Sequence, residues 1–335
     1  MSEATRRNVI VGAAAGAAAA MAPIAASGPA GAAAPAAGKQ TASWYRYKVG
    51  DFEITVVTDG VNRVAKLPDN FVVNASKEQV DAALAAAFMP PGTLTIPYTP
   101  IVVNTGSKLI VIDTGSGEAN FAASKGAAGQ FLSNLAAAGI DAKAVDTVII
   151  SHYHADHVNG LVKADGSLSY PNAEILVPAP EHKFWMDDGE MSRAPAGGRM
   201  EGMFKNNRRV FSGDVIKRVK TYDSGKEVVP GITAVSTPGH SIGHHSHMIS
   251  SAGKTVFVQA DVTNVPFLFA RNPGWHPAFD QIPAQAEETR RKTYDMLATD
   301  KLMVQGFHYP FPSVAYVEKS GTGYRETMVP WNPTI

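Results

Sequence analysis

Short β-branched apolar runs alternate along this chain with segments whose apolar residues recur at helical spacing. Residues 44–49 and 52–58 read as two strands joined by a tight turn at Gly50-Asp51. Residues 77–88 read as an amphipathic helix ended by Pro90-Pro91. A second hairpin runs over 100–104 and 108–113, and helical spacing returns over 128–138 until Gly139. Residues 145–150 are apolar and β-branched, as expected of a buried strand, and 173–178 form another. Residues 186–214, rich in Met, Gly, Arg and Asn, read as an irregular insertion or lid. Strands resume near 217–222, 231–236, 244–249 and 254–260, a helix fits 284–298, and 301–304 is the last buried strand. Hairpin-rich sheets alternating with helices predict a layered α/β architecture with two sheets. No repeat and no second domain boundary interrupts it.

The N-terminus breaks this pattern. Arg6-Arg7 precedes a weakly apolar Ala/Gly-rich stretch and small-residue cleavage candidates near Ala30–Ala34, the layout of a twin-arginine export signal. Residues 1–38 are therefore expected to be a leader, and 39–335 an exported domain, periplasmic or secreted. The apolar core is too short for a stable membrane anchor. The 335 residues contain no cysteine, which excludes disulfides, thiolate metal sites and cysteine nucleophiles. Thirty basic and thirty acidic residues balance without long runs, so nothing points to nucleic acid.

The chemistry concentrates behind the strand at 145–150. His152, His154, Asp156 and His157 cannot all face one side of a regular strand or helix, so the backbone must turn there for them to converge. Imidazole and carboxylate without thiolate suit a divalent ion such as Zn²⁺. Three later side chains have the same placement, each just past an apolar run: His240, Asp261 and His308. His244, His245 and His247 read as structural or surface residues, and His182 and His276 as non-ligands. Phe121, Trp185, Phe204, Phe267 and Phe279 are candidates for an aryl pocket, with Asn264 as a donor to a carbonyl oxygen.

The ordered set His152-x-His154-x-Asp156-His157, His240, Asp261 and His308 resembles that of the metallo-β-lactamase superfamily of dinuclear hydrolases. Within it the chain is most similar to methyl parathion hydrolase and its lactone- and aryl-ester-hydrolysing relatives. The resemblance implies a four-layer αββα sandwich. It implies two divalent ions, one held by His152, His154 and His240 and the other by Asp156, His157 and His308, with Asp261 bridging. Asp156 and Asp261 are the expected catalytic carboxylates. Asp113 resembles the superfamily's aspartate that orients an imidazole, with a simple turn carboxylate as the alternative reading. A water shared by two such ions should have its pKa lowered to about 7 or below, giving hydroxide at neutral pH.

These expectations describe an exported zinc hydrolase acting on a small uncharged lactone or aryl ester, with a homodimer left open. The alternative within enzymes is organophosphate triester hydrolysis. A mononuclear iron persulfide oxygenase shares the His-rich loop but needs only part of the ligand set, and His308 speaks against it.

Overall fold

The computed structural model describes Gly38, Gln40 and residues 43–335. The leader reading falls on residues outside these, Gly38 aside. Two seven-stranded sheets carry the domain. The first runs, in spatial order, Trp44–Val49, Phe52–Val57, Ile101–Asn104, Leu109–Ile112, Thr147–Ile149, Glu174–Pro178 and Val219–Tyr222. Its first four strands are antiparallel neighbours and its last four run parallel. The second runs Glu227–Val229, Ile232–Ser236, His245–Ser251, Lys254–Ala260, Met303–Gly306, Val314–Ser320 and Gly323–Met328, with a single parallel pair at its centre.

Three apolar cores explain the layering. Ile54, Val56, Ile101, Val103 and Ile110 of the first sheet meet Ile232, Ala234, Ile249, Val256 and Val258 of the second, a shared interior between the sheets. The opposite face of the first sheet, with Val102, Val111 and Val148, is covered by Phe131, Leu135, Trp185 and Phe204 from helices. The outer face of the second, with Phe257 and Val304, is covered by Tyr294 and Leu297 of the helix Pro283–Asp300. Helices therefore lie outside two stacked sheets, the αββα order the resemblance implied. A fourth cluster packs the helix Lys77–Ala86 and the small sheet Gly60–Val64 with Leu94–Tyr98 against Val265, Phe267 and Phe269.

The strands Gly60–Val64, Leu94–Tyr98 and Glu227–Val229 and the helices Ala119–Ala123 and Ala179–Met186 were not expected, and three further differences have a clear cause. Residues 186–214 are not irregular: Asp188–Arg193, Arg199–Val210 and Gly213–Ile216 are helices. Phe204, Asn207 and Val210 form the buried side of the second of these, a stripe that the surrounding Arg, Asn and Gly conceal. The helix expected from 128 begins at Phe131, because the Asp59 carboxylate accepts from Phe131 N–H (2.9 Å) and Gly129 N–H (3.2 Å) and caps it from a distance. Two strands follow the one at Met303–Gly306, with polar outward residues that hide them as apolar runs.

The second sheet also buries His247. Burial, with His245 beside it, pushes its imidazole down to about 3 from an ordinary 6.5. The unfolded chain then binds a proton over a range where the folded one does not. Stability should fall as pH drops from about 6.5 towards 3, by at most ~1.4 kcal/mol per pH unit from this residue. His247→Gln should flatten the slope of urea-unfolding free energy against pH relative to the native chain. Parallel slopes would contradict a neutral buried imidazole.

Candidate metal centre

The buried strand Thr147–Ile149 ends at the His-rich loop, and Asp113 fixes the point of departure. Its carboxylate accepts from Ser151 N–H (2.8 Å) and Ser151 O–H (2.8 Å). His154 has extended backbone (φ −69°, ψ 150°) and precedes the short helix Ala155–Val158, a turn that brings the rings of His152 and His157 together, centroids 4.0 Å apart. The second sheet supplies the rest. His240 lies beyond the strand Ile232–Ser236. A register shift near the end of Lys254–Ala260 and a left-handed Ala260 (φ 49°) turn Asp261 out of the sheet. His308 follows the neighbouring parallel strand Met303–Gly306.

Seven side chains meet in two sets: His152, His154, His240 and Asp261, and Asp156, His157 and His308. The Asp261 carboxylate lies between them. Its Oδ1 is 3.2 Å from His157 Nε2, and its Oδ2 is 2.9 Å from His308 Nε2 and 3.2 Å from His240 Nε2. His154 turns Nδ1 inward, 2.8 Å from His240 Nε2.

The donor set suits cations. His152 Nε2 and His154 Nε2 are buried and have no hydrogen-bond partner among the described residues. Such atoms are costly unless something else satisfies them. Burial, then neighbouring imidazoles, holds His152 and His154 well below the ordinary histidine range, leaving them neutral with lone pairs free. Burial also opposes charge on His157, but Asp261, Asp113 and Asp156 outweigh it and push its pKa up. His240 behaves likewise, with burial overcome by Asp261 and Asp280, and is raised to about 9. Burial works against the Asp261 carboxylate too, yet His308, His157 and His240 hold it well below the carboxylate range. The carboxylates attract positive charge to the same small volume.

The inner imidazole nitrogens are aimed by bonds at the far side of each ring. His157 Nδ1 is 2.7 Å from Asp113 Oδ2, His240 Nδ1 2.8 Å from Asp280 Oδ1, and His308 Nδ1 donates to Pro97 O at 2.7 Å. The sequence reading missed Asp280, which is itself held by buried Arg290 (3.0 Å). It also missed Glu181. This fully buried carboxylate accepts from Tyr153 N–H (3.0 Å), Trp185 Nε1–H (2.8 Å), Gly243 N–H (2.7 Å) and Ser241 O–H (2.9 Å). It thereby ties the His152/His154 loop to the His240 loop. The approach is so close that a Cβ on Gly243 would stand 2.2 Å from Glu181 N.

The other histidines are also accounted for, His245 being buried with Nδ1 donating to Gly243 O (2.8 Å). His244 is buried; Nδ1 donates to Thr237 O (3.0 Å), and Nε2 accepts from Asp261 N–H (3.1 Å), steadying that residue's backbone. His182 pairs with the Tyr153 hydroxyl and His276 with Glu287.

A cavity of about 280 Å³ opens on His154, Asp156, His240, Asp261 and His308. Ile96, Tyr98, Met203 and Phe279 give it apolar and aromatic walls, and Asn62, Arg199 and Asn264 give it polar ones. Four pocket expectations need correction. Trp185 and Phe204 are fully buried and packed together, ring centroids 4.8 Å apart, in the core behind the first sheet. Phe267 belongs to the core with Val265 and Phe269. Phe121 is half exposed and lies outside the walls of this cavity. An aromatic side chain satisfies a core and a pocket equally well, so residue type alone could not sort them. Phe279 and Asn264 do line the cavity. Tyr98, Met203 and Arg199 were missed, lying in elements with no chemical signature.

The sequence model of the metallo-beta-lactamase superfamily matches residues 97–299, and the chain belongs to that superfamily. It is a metal-dependent hydrolase of this class. Among solved structures it is similar to the hydrolase AbOPH of the beta lactamase superfamily, with 28% identity and a TM-score of 0.80 over 88% of this chain and 100% of that one. It is also similar in fold to AidC, a dizinc quorum-quenching lactonase (22% identity, TM-score 0.77, 87% of this chain and 98% of that one). A probable metal-dependent hydrolase from Staphylococcus aureus shares the fold at 20% identity, with a TM-score of 0.67, over 86% of this chain and 100% of that one.

Asp280→Asn is expected to weaken metal binding about 10- to 100-fold, because the His240 ring loses its charged brace. Competition against a chromophoric chelator measures this. Unchanged affinity would leave Asp280 a partner of Arg290 alone.

Proposed function

We infer that the protein hydrolyses uncharged lactones or aryl esters with two divalent ions, zinc being the best match to an imidazole and carboxylate donor set. The observation that carries the reading is the cavity itself, in which Ile96, Met203 and Phe279 line the same space as five of the seven cluster residues. Apolar walls above a hard polar floor favour a substrate with a flat hydrophobic body and one reactive carbonyl. When bound, the ions supply Lewis acidity and an activated water.

The remaining work belongs to the chain's own side chains. Asp261, between both sets, would offset the repulsion of two adjacent dications. Asp113 and Asp280 hold the rings of His157 and His240 in one orientation. Asn264 accepts from Val265 N–H through Oδ1 (2.9 Å), which leaves its amide N–H groups to donate to a substrate oxygen in the cavity. The AidC likeness, a fold-level one to a lactonase, is in keeping with this reading.

Phosphotriesters are the second reading, because the same floor could serve a phosphoryl centre. The ranking is tested by kcat/KM on aryl lactones, aryl esters and dialkyl aryl phosphates. The best lactone or ester should lead by about 10-fold or more, since shape discrimination in an apolar pocket is worth only ~1–3 kcal/mol. A phosphotriester equal to or above it would reverse the ranking. Export by the twin-arginine route is part of the same proposal, supported by Arg6-Arg7 and the Ala/Gly-rich stretch after it. Replacing the pair with Lys-Lys in a native host should retain precursor in the cytoplasm, and unimpaired export would refute the route.

A further inference from the structure

A second cavity, of about 370 Å³, adjoins the one above the cluster and shares Tyr98, Ala155 and Asp156 with it. Its lining differs in character. Lys163 and Arg209 are its cations, and Asp156, already part of the metal cluster, is its only acid. Among the described residues neither forms an ion pair: the exposed Asp165, two residues along from Lys163, feels its charge without contact, and the exposed Arg209 spends one Nη2–H on the neutral Asn206 Oδ1 (2.9 Å). Asn206 in turn donates to Asn159 Oδ1 (2.9 Å), which braces Asn159 and leaves its amide N–H groups free at the cavity wall. Glu118 shares a separate surface hollow with Lys163 but forms no ion pair with it. The result is an ammonium, a guanidinium and an amide donor around one space, next to the reacting centre.

We propose that this side cavity is a subsite for a carboxylate carried by the substrate, several bonds from the scissile carbonyl. The inference rests on the hydrolase reading and narrows it: preferred substrates are lactones or esters with an uncharged reacting end and an anionic far end. Unpaired cations beside a cavity attract an anion over the range of a Debye length and hold it by charge-assisted hydrogen bonds. Arg209 and Lys163 supply those donors without competing for the metal cluster.

Two matched probe pairs test this on the metal-loaded enzyme: 4-acetoxybenzoate against 4-acetoxybenzamide, and monophenyl adipate against phenyl hexanoate. The first carries the charge on the leaving group and the second on the acyl chain. At least one pair should favour the anionic member by about tenfold in kcat/KM, mostly through KM, the size expected of one charged hydrogen bond. The preference should shrink with added KCl, and the double variant Lys163→Gln/Arg209→Gln should bring the ratio close to one. General damage would lower both members of a pair and leave their ratio intact. Equal rates within both pairs, or a ratio unmoved by the double variant, would overturn the subsite. If no ester is cleaved, the hydrolase reading fails by itself, and calorimetric titration with monophenyl adipate still decides the cavity. Binding weakened by the double variant supports the subsite, and equal binding to both proteins removes it.

Discussion

Asp261→Asn is expected to lower kcat/KM by about 100-fold or more while the protein stays folded. The carboxylate is 4% exposed, and its two oxygens face nitrogens of three histidines from both sets. Asparagine preserves the volume but removes the charge, and it turns an N–H₂ group towards positions that need an acceptor. The electrostatic clamp of such a centre is worth a few kcal/mol at the transition state, which sets the expected loss. Steady-state kinetics with metal analysis of the same sample separates the causes. Near-native kcat/KM with full metal content would show that Asp261 does not bridge the sets.

Glu181→Ala should destabilise the fold by about 3–5 kcal/mol. Three of the four donors it accepts from, Tyr153 N–H, Gly243 N–H and Trp185 Nε1–H, cannot rotate away, and all three are buried. Each orphaned donor costs ~1–3 kcal/mol. The two loops it joins carry His152, His154 and His240, so metal affinity should fall together with stability. Urea unfolding with and without added zinc reads both effects. A loss under 1 kcal/mol would mean that water enters and replaces the carboxylate.

Those two residues mark the boundary of what the sequence made legible. Asp261 could be found because it ends an apolar run, the same signal that flags His240 and His308. The cluster of His152, His154, Asp156 and His157 is contiguous and needs no tertiary knowledge to be noticed. Glu181 has no such signature: its partners Tyr153 and Gly243 are 28 and 62 positions away. Asp280 is 40 positions from the ring it holds and follows an unremarkable Pro-Ala-Phe stretch. The fold was legible where apolar runs are continuous. It was hidden in Arg199–Val210, where polar residues mask the buried stripe, and in Val314–Ser320 with Gly323–Met328, where the outward face is polar. The aromatic pocket failed for a third reason. Phe204 and Trp185 obey the same hydrophobic rule as Phe279 but lie on the other side of a sheet whose placement only the fold reveals.

Seven side chains are expected to hold two divalent ions around Asp261. Elemental analysis of protein purified without chelator and supplemented with zinc tests this most directly. Close to two equivalents per chain are expected, falling towards one in His308→Ala. A stoichiometry that stays near one in the native chain after supplementation would contradict it.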